Sequence, residues 1–164
     1  MNLCPFAKRE LVKNRIRFAI TETVTEEQLL AALRTELELL GNDSSVETTL
    51  LIHANVLQEF SDYNQFLDHA DALLVEMHLD GVYQVASFHP DYRFSGTDPD
   101  DAENYTNRSP YPMLHVLREQ SLKRAIADYP DVSQIPTQNV ALMNTLGGMQ
   151  LTKLMQACFS TVKQ

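Results

Sequence analysis

The sequence predicts an α/β fold: a small, mainly parallel sheet of about three strands in the order βαβαβ, with crossover helices and a C-terminal helical segment. Two long helical stripes of apolar residues alternate with three short apolar strands along the chain. This alternation is typical of parallel strands joined by right-handed helical crossovers. The 164 residues are enough to bury one core, so residues 1–164 are predicted to form a single domain.

The first quarter of the chain predicts a helix, a strand and a second helix. Cys4-Pro5 is typical of a helix start, and the helix is expected to end near Lys13. Residues 15–20 alternate apolar and other side chains with a period of two, which indicates a strand. Thr25 to Gln28 form a capping box, and a stripe of leucines follows it as far as Gly41, where the helix is expected to end.

The next part of the chain predicts a strand, a helix and a strand. Residues 48–53 are predicted to be a strand in which Leu50, Leu51 and Ile52 follow one another without alternation, as expected for a strand that is covered on both faces. The helix that follows is expected to begin at Ser61 or Asp62 and to end before Gly81. The third predicted strand spans residues 83–88.

The rest of the chain predicts a long loop and three helices. Residues 89–112 are rich in prolines and acidic side chains and show no periodicity, and loops of this length are usually functional. The helices are expected at residues 113–128, at residues 136–146 ending at Gly147-Gly148, and at residues 150–162.

The composition limits the possible partners and the location. The net charge is -9, and no block of lysines and arginines offsets it, so a nucleic acid is not expected as a partner. The sequence contains no run of about 18 apolar residues, so no membrane span is predicted. The N-terminus lacks the features of an export signal, and the two cysteines do not form a CxxC motif, so a cytoplasmic location is expected.

Polar groups follow each of the three predicted strands. Thr21-Glu22 follow the first, His53 follows the second, and His89-Pro90-Asp91 follow the third. Parallel strands place the segments that follow them at one edge of the sheet, which is where open α/β sheets bind ligands. The sequence therefore predicts a site at this edge, built around the polar stretch from Ser87 to Glu119.

A metal site is one interpretation of these histidines. His89 and Asp91 have a His-x-Asp spacing, and a distant histidine, His53 or His115, would complete a two-histidine, one-carboxylate set for a divalent transition metal. The alternative is that His89 caps the end of the strand and Asp91 makes a turn hydrogen bond. His115 and Glu119 are expected to share a face of the predicted helix, as metal ligands, as a base and its partner, or as a surface pair.

Other candidate groups flank the same edge. Cys4 at a helix N-terminus, followed by Lys8 and Arg9, is either a reactive thiol or an inert one. Arg108 could bind a carboxylate or phosphate in two-pronged fashion, or pair with an acidic residue of its own loop. No nucleotide-binding, hydrolase, zinc-protease or calcium-loop motif occurs, so no motif identifies a reaction.

Several longer motifs resemble the bacterial domain-of-unknown-function family 1415. They are residues 2–7, 47–53, 62–68, 84–92 and 104–112, running on to His115 and Arg118-Glu119. The resemblance covers nearly the whole chain. It implies no activity, cofactor or catalytic residue, since none is assigned to the family.

The resemblance does favour some polar residues over others. It favours Cys4, His53, residues 89–92 and residues 104–112 as candidates for a site. It also implies a further helix upstream of the motif at residues 2–7, so the chain is expected to lack an N-terminal helix that is usual in the family.

The leading hypothesis is a small cytosolic enzyme that acts on a polar or anionic metabolite, with or without a metal. His89 and Asp91 would be metal ligands or a general base and its orienter, and Cys4 would be a nucleophile or an extra ligand. The other predicted contacts to the substrate are Arg108, Tyr105, Asn104, Asn107, Tyr92 and His53, with Tyr105 also a candidate acid. The alternatives are a non-catalytic module that binds a metabolite or a metal, and a protein-docking domain.

Overall fold

The structure, a computed structural model, describes residues 3–4 and 6–159 of the chain. These residues form one mixed sheet, five α-helices and a short 3₁₀ helix. In chain order the elements are α1 (Ala7–Val12), β1 (Ile16–Ile20), α2 (Glu26–Asn42), β2 (Thr48–Ile52), α3 (Phe60–Glu76), β3 (Tyr83–Phe88), the 3₁₀ helix (Ala102–Thr106), β4 (Met113–Arg118), α4 (Glu119–Ala127) and α5 (Gln134–Ala157).

The sheet has four strands in the order β1-β2-β4-β3. β1 and β2 are parallel, whereas β4 is antiparallel to both of its neighbours. β1, β2 and β3 therefore run in the same direction, with β4 inserted between β2 and β3 in the opposite direction. The predicted α/β class is confirmed. The prediction of about three strands in a mainly parallel sheet is wrong, because the sheet has a fourth strand and one parallel pairing out of three.

One face of the sheet, the packed face, carries the core. Alternate residues of the strands point to this face, including Ala19, Leu51, Leu114 and Val116, all of which are buried. They pack against the apolar stripes of α2 and α3, whose buried residues belong to the same cluster. The leucine stripe and the helical spacing seen in the sequence thus give two helices their buried sides.

The opposite face, the open face, is covered less completely. It carries the other residues of the strands, which include Leu50 of β2, Ala86 of β3 and His115 of β4. Residues of α1 and α4 lie over this face and leave a cavity between helices and sheet. At the outer strand β1, Phe18 and Ile20 on this face are exposed.

The prediction of one helix at residues 113–128 is wrong. Residues 113–118 form β4, and α4 begins immediately afterwards at Glu119. Leu114 and Val116 face the core with a period of two, but Met113 and Leu117 on the other face are also apolar. No turn residue separates the strand from the helix. His115 and Glu119 consequently do not share a helix face, and Glu119 instead pairs with Lys123 at 2.8 Å.

The start of α2 and the end of α3 are as predicted, since α3 ends at Glu76, before Gly81. The hydroxyl of Thr25 accepts the backbone N–H of Gln28 at 3.3 Å. At the end of α3, His78 adopts a positive φ of 56°. The N–H of Leu79 then reaches the carbonyl of Leu74 at 2.8 Å, closing a Schellman motif. A histidine therefore ends this helix in a backbone position that glycine usually occupies.

The two ends of the chain correct further details. α1 begins at Ala7 with Phe6 as its N-cap residue, so Cys4 is not at the cap, and Pro5 lies outside the described residues. α5 is interrupted at Gly147, whose φ of 73° is not helical, at the predicted break. The predicted end of the last helix at Val162 lies outside the described residues. No helix in the described part of the chain has the length and apolar character needed to cross a membrane.

Candidate functional site

Two histidines meet around one tyrosine at the edge of the sheet where β2 and β3 end. The imidazoles of His53 and His89 are both fully buried, and their ring centres lie 5.9 and 5.1 Å from that of Tyr63 on α3. Phe60 and Tyr92 complete this group, which we call the edge cluster. The three strands that point to this edge bring the two histidines together although β4 lies between β2 and β3.

His89 uses both of its ring nitrogens within the protein. Its Nε2 donates to the carbonyl of Leu57 at 3.2 Å, and its Nδ1 accepts the backbone N–H of Asp91 at 3.0 Å. The ring is therefore neutral, and burial lowers its pKa. The carboxylate of Asp91 is exposed and makes no hydrogen bond to the ring among the described residues. This arrangement is that of a strand-end cap and not of a base with its orienting carboxylate.

His53 is held in a similar way but keeps one free nitrogen. Its Nδ1 donates to the carbonyl of Val56 at 3.1 Å, while its buried Nε2 has no hydrogen-bond partner within the described chain. Burial lowers its pKa to about 4. Together the two imidazoles fix the loop that leads into α3, in which Leu57 has a strained φ of 56°. The edge cluster therefore stabilises a backbone that would otherwise be unfavourable.

Asn104 holds the long loop together from inside. It is fully buried, its Oδ1 accepts from the N–H of Phe94 at 3.1 Å and from the hydroxyl of Thr97 at 2.8 Å, and its Nδ2 donates to the carbonyl of Asp98 at 2.8 Å. An amide in this position is out of reach of a ligand. The prediction that Asn104 contacts a substrate is therefore replaced by a role in ordering the loop. Tyr92 packs against Phe94 at 5.0 Å and belongs to the same framework.

A cleft of about 640 Å³ opens between this loop, α5 and the N-terminal segment. We call it the loop cleft. Its polar lining residues are Cys4, Glu103, Tyr105, Thr106, Asn107, Arg108 and Asn139, and its apolar ones include Phe88 and Val140. The volume lies within the range of small-molecule sites. Cys4, Tyr105, Asn107 and Arg108, all predicted from the sequence, thus line one cleft.

The guanidinium of Arg108 is fixed in place without a carboxylate. It lies over the ring of Tyr105, 4.5 Å from the ring centre, and donates to the carbonyls of Tyr92 at 3.2 Å and Pro99 at 2.7 Å. Glu103 lines the same cleft, but the two charges are not within ion-pair distance of each other. The cleft therefore presents a positive and a negative group, neither of which is neutralised by another described residue.

Two further side chains of the cleft are oriented by hydrogen bonds. The hydroxyl of Tyr105 is 2.9 Å from that of Thr152 on α5, and Asn107 donates its Nδ2 to the carbonyl of Ser87 at 3.1 Å. The amide oxygen of Asn107 has no hydrogen-bond partner within the described chain. These contacts fix the two groups and leave acceptor atoms for a ligand.

A second cavity of about 450 Å³ lies on the open face beneath α1 and α4. We call it the sheet cavity. His115 lines it, and its Nε2 is 2.8 Å from the hydroxyl of Thr48, which itself donates to the carbonyl of Val116 at 2.5 Å. The hydroxyl can therefore only accept from the imidazole, so Nε2 carries the proton and Nδ1 is the lone-pair nitrogen. Burial lowers the pKa of His115 to about 4, so the ring is neutral at pH 7.

The proposed metal ligands do not converge. His115 lies on the open face of β4, whereas His53 and His89 lie in the edge cluster with α3, and Asp91 is exposed. Among the described residues, no three histidine, cysteine, aspartate or glutamate side chains are arranged to hold a metal ion. The geometry of these four residues therefore does not fit the predicted two-histidine, one-carboxylate set.

Sequence reasoning missed several residues of the two cavities. Phe88 lines both, Thr48 orients His115, and Asn139 of α5 donates to the carbonyl of Leu3 at 2.9 Å. The pairing of Thr48 with His115 follows from the register of β2 and β4, which the sequence did not reveal because β4 was predicted to be helical. The hydrogen bond between Leu3 and Asn139 joins residues that are far apart in the sequence, so no local sequence pattern indicates it.

Fold and site define a small mixed α/β protein with a ligand-sized cleft beside its sheet. The chain belongs to the family described as protein of unknown function (DUF1415), whose model matches residues 1–153. This match confirms the resemblance found in the sequence. A comparison with curated proteins and a comparison with solved structures each gave no match.

Proposed function

We propose that this protein binds a small polar metabolite with an anionic group in the loop cleft. One observation carries the proposal: a positive and a negative side chain, Arg108 and Glu103, line the same cleft without pairing. An arginine that is already held by carbonyls and an aromatic ring loses little freedom when it binds an anion. Arg108 would bind the anionic group, and Glu103 would accept from a hydroxyl or ammonium group of the same ligand.

The remaining polar groups of the cleft suit the orientation of such a ligand. The amide oxygen of Asn107 and the hydroxyl of Tyr105 are fixed by the protein and offer further hydrogen bonds. A small number of fixed polar groups in a concave, partly apolar site is the usual composition of a metabolite site. This retains the polar or anionic substrate of the sequence hypothesis but places it away from His89 and Asp91.

In the catalytic version of the proposal, the exposed thiol of Cys4 is the nucleophile. Cys4 lines the loop cleft together with the charged groups, so a ligand held by Arg108 would lie close to it. The second candidate is a binding module without turnover, which uses the same contacts but not the thiol. The two versions are separated by Cys4→Ser, which abolishes turnover in the first and leaves binding nearly unchanged in the second.

The binding proposal is tested by calorimetric titration with inorganic phosphate, succinate and glycine. We expect at least one of these anions to bind, and Arg108→Gln to weaken its binding by about tenfold or more, because a charge-assisted pair of hydrogen bonds is lost. Glu103→Gln should weaken glycine more than succinate, since only glycine carries an ammonium group.

Arg93→Gln is the matched control. Arg93 lies in the same loop, is exposed and does not line the cleft, so the change removes the same charge without touching the site. Thermal unfolding of each variant shows whether the loop remains ordered. If Arg108→Gln and Arg93→Gln bind the anions equally well, the cleft does not use its arginine and the proposal is wrong.

A further inference from the structure

The sheet cavity is next to the loop cleft and shares lining residues with it. Cys4 and Phe88 line both, so the two spaces meet at these side chains. The surface of the loop cleft is more apolar than polar but carries two charges, Arg108 and Glu103, that do not pair with each other, whereas the surface of the sheet cavity is almost entirely apolar. Each volume lies within the range of small-molecule sites. A cleft with charged groups that adjoins an almost entirely apolar cavity matches a ligand with a charged head and an apolar part.

The charged side chains around the sheet cavity are held by other groups of the protein, but Oε2 of Glu10 and Oε1 of Glu47 are buried without a hydrogen-bond partner among the described residues. Glu10 is paired with Arg9 at 2.6 Å and with Arg15 at 3.3 Å, and Arg15 also pairs with Glu47. Arg118 donates to backbone carbonyls, among them that of Val46 at 3.0 Å. The carboxylates are therefore balanced by arginines at ion-pair distance, whereas Arg118, like Arg108, is held by carbonyls and not by a carboxylate. The rest of the lining is mostly carbon surface, together with the neutral imidazole of His115 and the hydroxyls of Thr48 and Ser121.

The walls of the sheet cavity are regular elements. Its floor is formed by Leu50, Ala86 and His115, one from each of β2, β3 and β4. Leu122 and Ala125 of α4 form part of its cover. A cavity with fixed walls and an apolar lining suits an apolar group of defined size and not an extended surface of a partner protein. Cys4 and Phe88 line both spaces and therefore mark the boundary between the loop cleft and the sheet cavity.

We infer that the ligand is an amphiphile, with its polar head in the loop cleft and an apolar chain or ring in the sheet cavity. This inference rests on the proposed binding of an anionic group by Arg108 and adds the chemical class of the rest of the molecule. The junction of head and tail would lie beside the thiol of Cys4, so that the functional group that joins them is the part of the ligand within reach of the thiol.

The inference is tested with straight-chain carboxylates from acetate to decanoate, and with the alcohols of the same length. The affinity of the carboxylates should rise by about fourfold for each methylene until the cavity is full. The alcohols should bind more weakly at every length, because they lack the charge that Arg108 recognises. Calorimetry or competition with a fluorescent fatty acid measures both series.

The variant Ala125→Leu tests whether the apolar part of the ligand lies in the sheet cavity. Ala125 is buried, and a larger side chain there fills the sheet cavity, so long carboxylates should bind about tenfold or more weakly while acetate is unaffected. Ala127→Leu is the matched control, since Ala127 lies two residues further along α4 and is exposed. Ala86→Leu blocks the same cavity from the sheet side and serves if Ala125→Leu does not fold.

The outcomes separate this inference from the proposed function. If short carboxylates bind through Arg108 but affinity does not rise with chain length, the proposed function stands and the amphiphile is wrong. The amphiphile is also wrong if the rise with chain length is unchanged in both Ala125→Leu and Ala86→Leu. If no carboxylate binds, or alcohols bind as tightly as carboxylates, the role of Arg108 fails and the inference fails with it.

Discussion

The edge cluster and the loop cleft use polar side chains in opposite ways. In the edge cluster, both nitrogens of His89 are hydrogen-bonded within the protein, and His53 is buried without access to solvent. In the loop cleft, Arg108 and Asn107 are fixed by some of their atoms and keep others free. A histidine at a strand end is therefore not by itself a sign of chemistry, because the atoms that remain unbonded decide what can bind.

The largest expected effect tests whether the edge cluster is structural. His89→Ala should lower the free energy of unfolding by about 4 kcal/mol, because it leaves a cavity between Phe60 and Tyr63 and removes the partners of two backbone groups. Chemical denaturation measures this loss. Asp91→Ala, at an exposed position, should change it by less than about 0.5 kcal/mol. If His89→Ala is as stable as the unchanged protein, the role of His89 is not structural and this prediction is wrong.

The second expected effect is acid destabilisation by the buried histidines. His53 has its pKa lowered to about 4 in the folded protein, compared with a usual value of 6.5. Between these two pH values the unfolded chain binds a proton at His53 that the folded chain does not, so the free energy of unfolding falls as the pH decreases through this window. Above pH 6.5, His53 no longer makes the stability depend on pH. The loss is on the order of 3 kcal/mol at pH 4.

The His53→Gln variant isolates this contribution. Its free energy of unfolding should depend less steeply on pH between 4 and 6.5 than that of the unchanged protein, with the acid sensitivity of His115 still present. Equilibrium denaturation at a series of pH values gives both curves. Parallel curves across this window would mean that His53 is protonated as readily in the folded state as in the unfolded one.

A smaller effect is expected in the loop cleft. Tyr105→Phe removes the hydrogen bond to Thr152 but keeps the ring beneath Arg108, so stability should fall by about 1 kcal/mol or less. The anion affinity should decrease more than stability does, because the hydroxyl is one of the fixed groups that face the ligand. If Tyr105→Phe causes a large loss of stability and leaves anion binding unchanged, the hydroxyl of Tyr105 is structural, like the polar groups of the edge cluster, and the prediction is wrong.

The smallest effect provides a reference far from both regions. His78→Gly places glycine at the positive φ that ends α3, and this should stabilise the protein by about 0.5 to 1 kcal/mol. Thermal unfolding should show a higher melting temperature with unchanged anion binding. A decrease would mean that the exposed imidazole at this position makes a favourable interaction that outweighs the backbone strain.

Elements with clear local signals are predictable from the sequence. The capping box at Thr25, the leucine stripe of α2 and the alternation in β1 each depend on neighbouring residues, and each element formed where it was expected. β4 could not be predicted in this way. Both of its faces carry apolar residues, and it continues into a helix without a breaker. It becomes a strand only because β2 and β3 supply hydrogen-bonding partners from distant parts of the chain.

The candidate site was predicted in part for the same reason. Cys4, Tyr105, Asn107 and Arg108 lie together in one cleft, and they belong to motifs that the family resemblance marked. No local pattern indicates that Asn104 is buried or that His89 is fully bonded, because burial depends on the packing of the loop and not on residue type. The sheet cavity depends on how α1 and α4 pack over the open face of the sheet. This packing is not encoded in short stretches of sequence.

The position of β4 has a consequence for the order in which the protein folds. β1 and β2 can pair as soon as both have left the ribosome, but β3 has no partner strand until β4 has been synthesised and inserted beside it. Until then the backbone groups of β2 and β3 that β4 will cover face water or a neighbouring chain, and unpaired strand edges of this kind favour aggregation. During translation, the chain is therefore expected to be most vulnerable between the emergence of β2 and that of Arg118.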